Sequence, residues 1–178
     1  MTAARRARAA GFTLIELLCV VVILAIASAM IIPAIGDNSG LNASAAARQL
    51  MADLNYAQNQ AINTQQYVYV TFDTTDQTYS LCSSMNPQTC LTDPISQGAY
   101  TRTFGNGAGP LAACTLLPTD IASNSTTIAY DPLGTPCVYS GTAPPPSAST
   151  TITLGVECGS SNIVYLNIQP DSGEISIQ

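Results

Sequence analysis

Residues 11–18 read Gly11-Phe12-Thr13-Leu14-Ile15-Glu16-Leu17-Leu18, and after Glu16 no charge returns until Asp37. A lone carboxylate therefore stands near the head of an apolar stretch. From Leu17 to Ile35 there are 19 uncharged residues, mostly Leu, Ile, Val and Ala. As a helix they rise about 1.5 Å each and nearly cover a hydrocarbon core of about 30 Å. Arg5, Arg6 and Arg8 precede the stretch. Such basic residues hold an N-terminus on the cytoplasmic side and place the following chain outside. An ionisable residue inside a membrane segment is costly, so Glu16 is expected to have a function.

Other readings of this segment compete. A secretory signal peptide has the same basic and apolar order, and Ala27-Ser28-Ala29 suits its cleavage site. The mature chain would then begin at Met30, as a secreted binding module. Glu16 opposes that reading, because a carboxylate weakens insertion and serves nothing in a discarded segment. A plain membrane anchor leaves Glu16 without a role. A twin-arginine signal lacks the residues expected after Arg5-Arg6.

The run Gly11 to Leu18 resembles the class III signal of type IV pilins and type II secretion pseudopilins. That resemblance implies cleavage after Gly11 by a prepilin peptidase and N-methylation of Phe12. Pro33 stands where such chains carry a helix-bending proline. Cleavage before Phe12 creates an α-amino group within the membrane. Paired across neighbouring subunits, that amine and Glu16 offset much of each other's desolvation cost. Glu16 is thus expected to set register in assembly, and the resemblance implies the same pairing.

Composition bounds the rest. With the leader removed, Arg48 and Arg102 oppose 11 acidic side chains, a side-chain net charge of −9, and the chain has no Lys and no His. Such a surface repels nucleic acid and anionic headgroups, so no nucleic-acid partner is expected. Without His no His-based triad can form, and no cysteine spacing resembles a zinc site. No catalytic residue, metal or cofactor is expected. Asp73-Thr74-Thr75-Asp76 reads as a turn rather than a calcium site, and Asp120, Asp131 and Asp171 read as turn caps.

A second helix is expected to about Thr64. Ala43, Ala47, Leu50, Leu54, Ala57 and Ala61 form one apolar stripe, with Gln49, Asp53, Gln58 and Gln60 facing elsewhere. After Gln66 the period becomes two: Val68, Val70 and Phe72 alternate with polar or aromatic neighbours. Further strands are expected near 79–82, 100–104, 126–130, 136–139 and 150–156. The last hairpin joins Val164, Leu166 and Ile168 to Ile175 and Ile177 through Pro170-Asp171-Ser172-Gly173. Segments 83–99, 105–125 and 140–149 read as surface loops, with Pro144-Pro145-Pro146 a stiff spacer. Helix first and antiparallel strands after make an α+β order.

Outside the span lie Cys82, Cys90, Cys114, Cys137 and Cys158, while Cys19 reads as a packing residue within it. Five is odd, so one thiol is free or pairs with another chain. Cys82–Cys90, bracketing a short polar loop, is the first expected disulfide. Cys137–Cys158 is the second, which leaves Cys114.

Ala46 to Gln58, Tyr130-Asp131-Pro132-Leu133-Gly134 and the closing Gly173-Glu174-Ile175-Ser176-Ile177 resemble H-type minor pseudopilins and related minor pilins. The implied fold is pilin-like α+β: a long membrane-spanning helix and an antiparallel sheet domain. The expected divisions are a leader at 1–11, a transmembrane and assembly helix at 12–35, an amphipathic helix at 36–64 and a β-rich periplasmic domain at 65–178. The expected function is that of a type II secretion minor pseudopilin at the pseudopilus tip or in initiation, not an enzyme. A type IV minor pilin is the alternative. Its partners would be other pseudopilins or pilins, the prepilin peptidase and the inner-membrane assembly platform. It would cross the bacterial inner membrane once, with the C-terminal domain in the periplasm.

Overall fold

The computed structural model describes residues 12–31, 38–105, 109–120, 127–141, 144–159 and 162–178. Gly11, Pro33 and residues 36 and 37 lie outside the described residues. The chain divides into two units, Met1–Asn38 and Ser39–Gln178. The first contains one described helix, α1 (Leu14–Ile31).

The second unit opens with α2 (Ser39–Thr64). Its many Ala and Gln residues lose little freedom in a helix. It stops where Gln65 turns to φ 54°. There the Gln66 amide reaches back to the Ala61 carbonyl at 3.3 Å, a closure usually built on Gly. The expected stripe is the buried face: Ala43, Ala47, Leu50, Leu54, Ala57 and Ala61 are inaccessible, and Ala46 joins them. Asp53 departs from expectation, since it is buried with the stripe rather than facing solvent.

Ten strands follow among the described residues: β1 (Val68–Asp73), β2 (Thr78–Met85), β3 (Gln88–Cys90), β4 (Thr101–Thr103), β5 (Cys114–Asp120), β6 (Thr127–Tyr130), β7 (Pro136–Val138), β8 (Ile152–Cys158), β9 (Asn162–Ile168) and β10 (Ile175–Ile177). They form two antiparallel sheets. One runs β3-β2-β1-β6-β7 with β4 also on β2; the other runs β10-β9-β8-β5. Both sheets pack on α2. Its small alanines let strand side chains approach the helix axis, and Leu50 and Leu54 fill the centre with Phe72, Ile128, Leu154 and Leu166.

Two stretches expected as loops contain strands. β3 lies within 83–99 and β5 within 105–125. Pro118 masked β5, because proline is rare in strands. Here it falls on the edge strand of the second sheet, where the pairing with β8 shifts register between Leu117 and Asp120. Residues 146–148, expected as loop, also line the β7 edge. Val138 donates to the Pro146 carbonyl at 3.1 Å and Ala148 donates to the Pro136 carbonyl at 2.9 Å. That covers part of an edge otherwise open to foreign strands.

The turns at 131–134 and 170–173 meet on α2. The Asp131 carboxylate accepts from the amides of Leu133 at 2.9 Å and Thr135 at 2.7 Å. Gln58 Nε2 donates to the Gly134 carbonyl at 2.9 Å and the Ser172 carbonyl at 3.1 Å. Gly173 adopts φ 69°, and a Cβ there would lie 2.5 Å from Gln58 Nε2 and 2.9 Å from the Gly134 carbonyl oxygen. Gly173→Ala is therefore expected to cost about 1–3 kcal/mol, from backbone strain and crowding together. Urea unfolding measures it. In a Gln58→Ala background the cost should shrink but persist, because the Gly134 backbone cannot yield as a side chain can.

Candidate assembly site

In α1 a Thr-x-x-Glu pattern starts the helix. The Glu16 amide donates both to the Thr13 carbonyl at 3.1 Å and to Thr13 Oγ1 at 3.3 Å, so Thr13 caps the first turn and Glu16 takes the third helical position. A carboxylate in a first turn also suits the positive end of the helix dipole. The hydroxyl of Ser28 donates to the Leu24 carbonyl at 2.6 Å, so its polar group is satisfied inside the helix. Every side chain from Phe12 to Ser28 is exposed. Phe12 and Leu14 are each 85% exposed, and the helix is apolar around its whole circumference. A helix of that kind is stable only when something apolar surrounds it. Phe12, Glu16 and Val20 share one side of it and, with Leu17, line a shallow open cleft. Among the described residues no cation pairs with Glu16, since the salt bridges present are those of Arg102. Among them, too, no helix is long and apolar enough to cross a membrane. α1 has 18 described residues, a rise of about 27 Å.

In the second unit the titratable side chains converge around Asp53. The Tyr79 hydroxyl donates to Asp53 Oδ2 at 2.6 Å and the Tyr100 hydroxyl to Oδ1 at 3.1 Å. Gln49 Nε2 also donates to Oδ1, at 3.0 Å. Arg102 Nε stands 3.6 Å from Asp53 Oδ2, while its Nη1 donates to Asp93 Oδ2 at 2.7 Å. The guanidinium lies 4.7 Å from the Tyr100 ring centroid, and Tyr56 stacks on Tyr100 with ring centroids 5.3 Å apart. Burial, then the Asp53 charge and hydrogen bond, push the Tyr100 hydroxyl up to about 12. The same causes raise Tyr79. Asp93 is held well below the usual carboxylate range, first by the Arg102 hydrogen bond, then by the Ile95 amide and the Ser96 hydroxyl. This cluster joins α2 to β2 and β4 and holds the loop that carries Asp93. All its charges are partnered, so it supports the fold and offers no free acid or base. The sequence did carry a signal for it: Ala46, Leu50, Asp53 and Ala57 follow one another at helical spacings of 4, 3 and 4.

The cysteines do not pair as expected. Cys114 bonds Cys158. The two stand opposite each other at the start of β5 and the end of β8. Cys137–Cys158 is thereby corrected: Cys137 lies on β7 in the other sheet and is a buried thiol. Cys82 and Cys90 face each other across β2 and β3 with their sulfurs 2.7 Å apart, and both are thiols.

The family model described as Type II transport protein GspH matches residues 46–172, from the first third of α2 to the last turn. The chain belongs to the GspH family. A second model, the prokaryotic N-terminal methylation motif, matches residues 6–32 and so includes Gly11, Phe12 and Glu16. Among curated proteins none matches the chain significantly. Two crystal structures of the type IV minor pilin FimU from Pseudomonas aeruginosa are similar. One is 17% identical over 75% of this chain and 85% of that one, with a TM-score of 0.48. The other is 16% identical over 75% and 90%, with a TM-score of 0.47. As a GspH-family chain this is a minor pseudopilin of type II secretion. Its family comprises structural subunits of filaments rather than enzymes.

Proposed function

We propose that this GspH-family subunit is anchored in the bacterial inner membrane by its first helix and released from its leader by a prepilin peptidase. Cleavage falls after Gly11, and Phe12 becomes the N-methylated terminus. The subunit then joins other pseudopilins in a hetero-oligomeric pseudopilus, at the tip or during initiation, through the inner-membrane assembly platform. The observation that carries this reading is α1: capped, apolar all round, exposed along its described side chains, with one carboxylate in its first turn. A helix over 12–35 would rise about 36 Å, enough to span the hydrocarbon core, with Pro33 as its bend near the outer face. The charged amine of Phe12 on one subunit then meets Glu16 on its neighbour. The α2 and β domain stands in the periplasm, where Cys114 and Cys158 are oxidised.

The mass of the mature N-terminus tests the processing step. Cells with the peptidase should yield a chain beginning at Phe12, and Gly11→Val should leave the precursor uncut. A mature chain beginning at Met30 would instead support a secreted module. Glu16→Leu tests the pairing. Removal of a buried charge favours the membrane, so insertion should persist. Co-purification with the other pseudopilins should fall at least tenfold, and undiminished incorporation would refute the pairing.

A further inference from the structure

On the face of the first sheet turned from α2, five side chains form a row. Cys90, Cys82, Tyr69, Ala129 and Cys137 stand opposite one another in turn on β3, β2, β1, β6 and β7. Tyr69 and Ala129 separate Cys137 from the other two thiols. Among the described residues no three side chains group as metal ligands. Cys82 and Cys90 are different. Their sulfurs are 2.7 Å apart. Cys82 is inaccessible, whereas Cys90 is half-buried on the edge strand β3, so Cys90 is the more accessible residue of the pair. Directly opposed positions on neighbouring strands are within the reach of a disulfide. Cys114–Cys158 is closed in the same domain, which indicates surroundings that oxidise thiols.

We propose that Cys82 and Cys90 are a redox-active dithiol, modified by disulfide-bearing oxidants through Cys90 and closed by Cys82. Cys90 gives up its proton and its thiolate attacks one sulfur of the oxidant. The oxidant's S–S bond breaks, and its other sulfur leaves and is protonated as a thiol. Cys82 then gives up its proton and attacks Cys90 Sγ. The mixed disulfide breaks and the second oxidant thiol departs. Two thiols have lost two electrons, and one disulfide has become two thiols. Burial and the adjacent Cys82 push the Cys90 thiol up to about 11, so attack is slow at neutral pH and quickens as pH rises. Closure ties the short edge strand β3 covalently to β2. The buried Cys114–Cys158 bond takes no part, and the proposal is independent of how the chain assembles.

The test uses the full chain in detergent with oxidised glutathione as the probe. After incubation, free thiols are alkylated and peptides are mapped. The expected product is a linked Cys82–Cys90 peptide, with Cys114–Cys158 intact and Cys137 unmodified. Its rate should climb about tenfold per pH unit from pH 7 to 9, as a thiolate fraction does below its pKa. Cys82→Ser should hold a stable glutathione adduct on Cys90, and Cys90→Ser should leave the inaccessible Cys82 unmodified. Wild-type protein that stops as a Cys90–glutathione adduct would overturn the proposal. So would wild-type protein that keeps both thiols free.

Discussion

Replacing Cys114 and Cys158 together with alanine is expected to lower stability by about 3–4 kcal/mol in the chain-entropy model, a large part of the total for a domain of this size. The bond closes a loop across a sequence separation of 44. It also holds an edge. Among the described residues β5 has β8 as its one strand partner, and the bond sits at the Cys114 end of that pairing, with the register shift near the other end. The measurement is urea unfolding of a chain cut to begin at Ser39. The second unit carries the whole described α2 and β packing, so this shorter chain is expected to fold by itself. Its urea midpoint should fall in the double variant, and reduction of the parent should reproduce the fall. Cys137→Ser should move the midpoint far less, because it breaks no bond. An unchanged midpoint in the double variant would contradict the assignment of the stabilising bond.

Asp53→Ala is expected to be as damaging, at about 3–5 kcal/mol, because it removes one partner of a buried charged network. The hydroxyls of Tyr79 and Tyr100 would lose their shared acceptor, and Arg102 would keep Asp93 alone. Asp53→Asn keeps an acceptor oxygen and should cost less. The same cluster predicts a pH dependence through Asp93. Its carboxyl is lowered in the folded chain, so its contribution is present above the unfolded carboxylate pKa of about 4. That contribution is lost as pH falls below about 4 toward the folded value. Stability measured from pH 6 down to 2 should fall more steeply in the parent than in Asp93→Asn. Equal slopes would show that the Arg102 pairing does not favour ionised Asp93.

Asp53 shows where pattern reading fell short. An aspartate invites assignment to solvent on chemistry alone, although its position on the helix puts it between Leu50 and Ala57. What makes it tolerable inside is three donors and a nearby cation drawn from other places: Gln49 one turn away, Tyr79 on β2 and Tyr100 just before β4 donate to it, and the Arg102 guanidinium on β4 stands 3.6 Å off. No local pattern states that those groups will arrive. β5 was hidden for a related reason. Its Cys114-Thr115-Leu116-Leu117 run is short and ends at Pro118, which is a loop signature unless the strand is known to lie at an edge.

Taken alone, the sequence determined an apolar first helix with one carboxylate near its head, the buried stripe of α2, the α+β order and the turns at 73–76 and 170–173. Each rests on periodicity, apolar composition or turn chemistry among residues close in the chain, where the backbone itself sets the geometry. Only the tertiary structure decided that the strands make two sheets, that Cys114 meets Cys158 and that Asp53 is enclosed. Those outcomes depend on partners 44 residues apart for the cysteines, and 26 and 47 apart for Asp53 with its two tyrosines. Loop closure discriminates weakly between such distant partners, since its entropy grows only with the logarithm of length. The choice among them was made by which strands could share α2 as a common core.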